Sequence, residues 1–157
     1  MPEPRDIRAE RLVRSDPGEL FGFLSDLENH WLLADRFIDV LELDGDRPAR
    51  GGRVRMRGPL GMRRTAVTRV LEVLPEARIA GTAEIGARTL AHVSWTLFGV
   101  DGGTHVELAA RLERASLLDR VLLAGGGGSW MRRRLERILA SLDGHVRRVA
   151  RAAATAA

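Results

Sequence analysis

The sequence predicts one α+β domain, in which a curved seven-stranded antiparallel sheet, two short helices and one long C-terminal helix enclose a cavity. Three observations predict it. Short segments of apolar and polar alternation recur between Arg53 and Leu112, divided by Gly- and Pro-bearing turns. Near the C-terminus the period changes, and Met131, Leu135, Ile138, Leu142, Val146 and Val149 recur at helical spacing. Asp16-Pro17-Gly18-Glu19 is a helix start placed after a single strand. Residues 1–150 are expected to form the domain and 151–157 a flexible tail.

The elements follow in order. Residues 7–14 read as an opening strand. Asp16 can cap the free amides of the helix that follows, Pro17 suits its first position, and Leu20, Phe21, Phe23 and Leu24 supply its buried side. A second short helix is expected over 27–34. Both are too short to be stable alone, so they should pack on the sheet. Phe37, Val40, Leu41 and Leu43 mark an irregular strand, closed by the loop Asp44-Gly45-Asp46. In Arg53-Val54-Arg55-Met56-Arg57 the alternation puts Val54 and Met56 on one face and a solvated Arg stripe on the other. Gly58-Pro59-Leu60-Gly61 turns the chain, and strands are expected over 66–74, 78–84 and 88–98. Asp101-Gly102-Gly103 is a hairpin turn, and Thr104, Val106, Leu108, Ala110 and Leu112 share one face of the strand beyond it. A helix over 117–124, four glycines and the long helix complete the chain. A single helix cannot fill a strongly curved sheet, which leaves room for a ligand.

Composition narrows the function. The 157 residues suffice for one domain with a sizeable core, and 45% are apolar. There is no Cys, which excludes disulfides, thiolate metal sites and cysteine nucleophiles. No hydrophobic export segment opens the chain and no apolar run approaches a membrane span, so a cytoplasmic protein is expected. All 25 basic residues are Arg, opposed by 21 acidic ones. The net charge of +4 is a weak argument for nucleic acid. The four His stand singly, without the paired helical spacing of a zinc hydrolase, so neither a metal site nor a cofactor motif is read. Gly125 to Gly128 is followed by Ser129-Trp130 and not by Gly-Lys-Ser, so it is no phosphate loop. It reads as a flexible loop, a kink or a close backbone approach to the sheet, or else as a hinge that lets Leu117, Leu118, Leu122 and Leu123 move over the cavity entrance.

On the strand 88–98, Val93, Trp95 and Leu97 alternate with His92, Ser94 and Thr96. Apolarity places the first three inside, beside Val106 and Leu108 of the hairpin partner, and turns His92 outward. His30 and Trp31 stand in the second short helix at the expected cavity mouth. His30, and with it His92, is a candidate acid or base, with Asp26, Glu28 and Asp35 near to orient it and Arg36 to hold an enolate. A surface His beside an anchoring Trp is the plainer reading. The expected ligand wall is Trp31, Val54, Met56, Val93, Trp95, Leu97, Val106 and Leu108, closed by Leu122, Trp130, Met131, Leu135 and Ile138.

This element order carries particular words: Asp16-Pro17-Gly18-Glu19-Leu20-Phe21, Leu24-Ser25-Asp26-Leu27-Glu28, and Val93-Ser94-Trp95-Thr96-Leu97 leading through Asp101-Gly102-Gly103-Thr104 to Val106-Glu107-Leu108. Together they resemble the START-like superfamily, the helix-grip or Bet v 1-like fold, and within it the polyketide cyclase/dehydrase-like branch. The resemblance implies a hydrophobic-ligand cavity between sheet and long helix. It implies no activity, because the superfamily includes carriers as well as cyclases. Three functions follow as expectations: binding of a hydrophobic or amphipathic molecule, lipid or polyketide-like; a cyclase or dehydratase using an internal His/Arg pair; or an Arg-rich C-terminal helix that meets an anionic partner, including peripheral contact with a membrane. A monomer or a homodimer fits all three.

Overall fold

A computed structural model describes residues 6–34, 37–45 and 49–156. The chain runs β1 (Asp6–Val13), α1 (Pro17–Leu24), α2 (Leu27–Leu33), β2 (Ile38–Leu43), β3 (Gly51–Arg57), a 3-10 turn, β4 (Arg63–Leu74), β5 (Arg78–Ile85), β6 (Thr89–Val100), β7 (Gly103–Arg114), α3 (Leu117–Leu122), a π-type turn and α4 (Gly128–Ala156). The seven strands form one antiparallel sheet in the order β1-β7-β6-β5-β4-β3-β2. Consecutive strands from β2 to β7 are joined by hairpins, and β1 closes the β7 edge. The fold is therefore the curved sheet gripped by a long helix that the sequence predicts.

Local chemistry explains the helix starts. Asp16 Oδ1 accepts from the Glu19 amide at 2.9 Å, with Pro17 in the first turn, and Asp26 Oδ1 accepts from the Glu28 amide at 3.1 Å. Bulges bend the sheet: the register shifts between Val40 and Glu42, between Val70 and Glu72, and between Leu90 and Ala91. At the second bulge Gly81 faces Val70, and a Cβ there would stand 2.1 Å from the Arg69 carbonyl oxygen. Only glycine lets β4 and β5 approach so closely.

The core lies between the inner sheet face and the helices. Leu20, Phe23 and Leu24 of α1 and Leu135, Leu139, Leu142 and Val146 of α4 pack with Ile79, Trp95, Leu97, Val106 and Leu108. A smaller cluster joins Leu27 and Trp31 of α2 to Val54 and Ala66. The buried face of α4 differs from the expected stripe at two positions. Leu139 is 1% exposed and takes a central place, whereas Val149 is 48% exposed because the helix has by then run past the sheet. Beyond the docked part, α4 continues through Ala156, with residues 149–156 exposed.

The glycine run does not separate two helices with a loop. Leu123–Gly127 forms a π-type turn in which Gly126 adopts φ +100, a conformation that favours glycine, and the chain then continues directly into α4. Ser129 sits inside the first turn of α4.

Candidate functional site

Between the two core clusters lies a cavity of about 300 Å³. Its existence follows from residue size. Gly81 and Ala83 of β5, Ala91 of β6 and Ala110 of β7 all face it. Where these central strands carry Gly and Ala, no side chain reaches α4, and space remains beneath the helix. All three tryptophans stand in the wall: Trp31 from α2, Trp95 from β6 and Trp130 from the start of α4.

Most residues expected at the site converge there. His30, Trp31, Val54, Met56, Val93, Trp95 and Leu108 line the cavity from α2 and the sheet. Leu122, Trp130, Met131, Leu135 and Ile138 line it from α3 and α4. Two do not. Leu97 and Val106 are cross-strand partners in the main core, at 5% and 0% exposure, toward the sheet end on which α1 packs. They share the inward face with Trp95 and Leu108, but α1 and α4 have already filled the space above them.

His92 also lies apart from the cavity. Strand alternation puts it on the outer face, where its Nε2 hydrogen-bonds the Glu113 carboxylate across β6 and β7. Both side chains are about half exposed, at 48% and 54%. This bond holds the Glu113 carboxyl below its ordinary range. His92 has no path to the cavity. Asp35 and Arg36, expected partners of His30, and Asp46 of the β2–β3 loop lie outside the described residues.

His30 is built into the wall. Its Nε2–H donates to the Leu24 carbonyl at 2.6 Å, and its ring meets Trp95 edge-on with centroids 5.5 Å apart. In the neutral ring this leaves Nδ1 as the nitrogen bearing the lone pair. Desolvation in the apolar wall pushes the His30 pKa down, against smaller opposing contributions from the Leu24 bond and Asp26. Below the ordinary value of about 6.5 the unfolded chain takes up a proton that folded His30 resists. Stability is therefore full above that value and falls as pH drops from it toward the depressed folded value. Denaturant midpoints at pH 7.5 and 5.5 are expected to differ more in the wild type than in His30→Gln; equal shifts in both would refute the assignment.

A polar corner closes the cavity between α3 and the sheet. Asp119 accepts from Arg64 of β4, from the Thr89 hydroxyl of β6 and, at 2.8 Å, from the Ser116 hydroxyl. Ser116 in turn caps α3 by accepting from the Asp119 amide at 3.2 Å. Burial pushes the Asp119 carboxyl up, but the bonds from Arg64, Thr89 and Ser116 outweigh it and hold the carboxyl below its ordinary range. The sequence reasoning missed this corner, although Ser116-Leu117-Leu118-Asp119 carries a capping-box spacing that marks a helix start.

Arg134 forms the opposite polar feature, from α4. Its guanidinium carbon stands 4.3 Å from the Phe37 ring centroid and 3.9 Å from that of Trp130. Its Nη1 donates to the Arg57 carbonyl at the end of β3. The remaining wall is mostly apolar, with Arg57, Thr68, Arg69 and Thr82 also bordering the space, so the arrangement suits burial of a hydrophobic body with a few polar contacts. Among the described residues no three His, Asp or Glu converge as metal ligands, and no helix is long and apolar enough to cross a membrane.

A seven-stranded sheet gripping a long helix around an apolar cavity defines a helix-grip protein of the hydrophobic-ligand-binding type. Residues 4–147 match a family described as "Polyketide cyclase / dehydrase and lipid transport", and the chain belongs to that family. No curated protein matches the chain. Among solved structures it is similar to TTHA0849 from Thermus thermophilus, with a TM-score of 0.70 and 20% identity over 92% of this chain and 99% of that one. A Rhodobacter sphaeroides protein gives 0.61 and 25% identity, covering 90% of this chain and 91% of its own. A START superfamily protein from Mycobacterium smegmatis gives 0.65 and 13% identity, covering 92% and 98%. These likenesses confirm the START-like fold.

Proposed function

We propose that the chain holds one hydrophobic or amphipathic small molecule, of lipid or polyketide-like character, in the cavity beneath α4. The observation that carries this reading is the void itself: about 300 Å³, walled by Val, Leu, Ile, Met and Trp and set between two packed clusters. An empty apolar cavity costs stability, and an apolar guest recovers the lost contacts. Access is supported by exposed apolar side chains beside the polar corner and the β3–β4 turn: Leu117, Leu118 and Val121 of α3, and Leu60, which is 94% exposed. Such residues suit delivery from an apolar surface, including that of a membrane.

Native mass spectrometry after gentle purification tests the reading. The expected result is one retained small molecule per chain, or uptake of one molecule from a panel of lipids and aromatic polyketides, with a change in tryptophan emission because all three rings stand in the wall. A protein that is reproducibly empty and takes up nothing would overturn it.

A second reading, cyclisation or dehydration of a poly-β-ketone, is favoured by one observation: His30 and Arg134 both line the cavity. His30 would serve as base and Arg134 would stabilise enolate charge. Turnover that His30→Gln removes without loss of ligand uptake would favour this reading; turnover that persists in the variant would exclude His30 as the base.

A further inference from the structure

We propose that Arg134 is an anion subsite and that the ligand is an amphipathic acid, with an apolar body under α4 and a carboxylate bound edgewise by the Arg134 guanidinium. This deepens the cavity reading and rests on it.

The geometry carries the inference. Phe37 and Trp130 stack near the Arg134 guanidinium at 4.3 and 3.9 Å, which fixes its plane. A guanidinium has five N–H donors lying in that plane. One is given to the Arg57 carbonyl. No carboxylate among the described residues forms an ion pair with Arg134. The other arginine that lines the cavity with a fixed side-chain partner, Arg64, is neutralised by Asp119. Among the described residues, Arg134 therefore contributes a stacked positive charge without a paired carboxylate to a mostly apolar wall, and Arg137 adds to the local positive field.

A half-buried cation without a counter-ion is costly, and a ligand that brings the anion removes that cost. A carboxylate matches the guanidinium edge with two parallel hydrogen bonds. A phosphate dianion would call for a second fixed cation, and the other cavity arginine held by a side-chain partner, Arg64, is already paired with Asp119. The position sets the orientation. Arg134 lies where β3 stops and α4 begins, so the headgroup stays at that end and the apolar body extends toward Trp95, Ile79 and Leu108.

The test compares decanoic acid with 1-decanol, by calorimetry at pH 7.5 and low salt, on wild type, Arg134→Gln and Arg134→Lys. Wild type is expected to bind the acid more tightly than the alcohol, on the order of tenfold or more, and added salt should narrow the gap. Arg134→Gln should bind both alike while keeping wild-type affinity for decanol, which also shows that it is folded. If Arg134→Gln does not hold decanol, Arg134→Lys decides: it keeps the charge but not the planar fork, and its preference should shrink. Equal affinities in wild type, or an undiminished preference in either variant, overturn the proposal and leave the cavity reading standing. Failure of wild type to bind either ligand removes the cavity reading and this inference with it.

Discussion

Ala110→Phe is expected to abolish or weaken ligand uptake by at least about tenfold while leaving the fold intact. Ala110 faces the cavity from β7, between Ile7 of β1 and Val93 of β6. A phenyl ring there grows into existing space. It displaces no packed neighbour, so stability should hold or rise, as it does when a void is filled. Ala109→Phe is the matched control. Its neighbours in the ladder are Arg8 and Ser94, and it points to the outer sheet surface, where a ring leaves the cavity untouched. Calorimetric titration with decanol on both variants separates the two faces of one strand. Full-strength binding by Ala110→Phe would mean that the ligand sits elsewhere.

Leu142→Ala is expected to cost about 2–5 kcal/mol, read as a lower denaturant midpoint at unchanged slope. Leu142 is 0% exposed, within the main cluster that joins α4 to α1, β1, β6 and β7. Neighbouring groups are held by the sheet and cannot collapse into the space a missing isobutyl group would leave. Val149→Ala, seven residues further along the same helix, should change stability by no more than roughly 0.5 kcal/mol, because Val149 is already 48% exposed. The contrast matters more than either value. A loss of the same size at both positions would mean that helix propensity, not docking on the sheet, sets the stability of α4.

Both expectations depend on features of unequal visibility in the sequence. The two short helices are legible because their signals are local: Asp16 and Asp26 cap amides two or three residues away. The inward face of β6 is legible from alternation, which correctly puts Val93 and Trp95 inside and turns His92 away. Alternation does not say how far along a strand the cavity extends. Leu97 and Val106 therefore look equivalent to Trp95 and Leu108, and only the position of α1 over that end of the sheet distinguishes core from wall. Leu139 escapes notice because a helical stripe read at one phase hides a neighbour that the curved sheet brings into contact.

The polar groups of the site are the least visible. Arg64 and Asp119 are separated by 55 residues, and Thr89 comes from a third element. Arg134 is one arginine among seven between Arg132 and Arg151, and nothing in that run marks it as the one stacked on Phe37 and Trp130.

The sequence alone determined the order of elements, the strand faces and the presence of an amphipathic closing helix. These follow from periodicity and capping, which act over a few residues. Only the tertiary structure decided where the void lies and which charges border it. A cavity is missing volume among Gly81, Ala83, Ala91 and Ala110, and it exists only once three separate strands are set in register beneath α4.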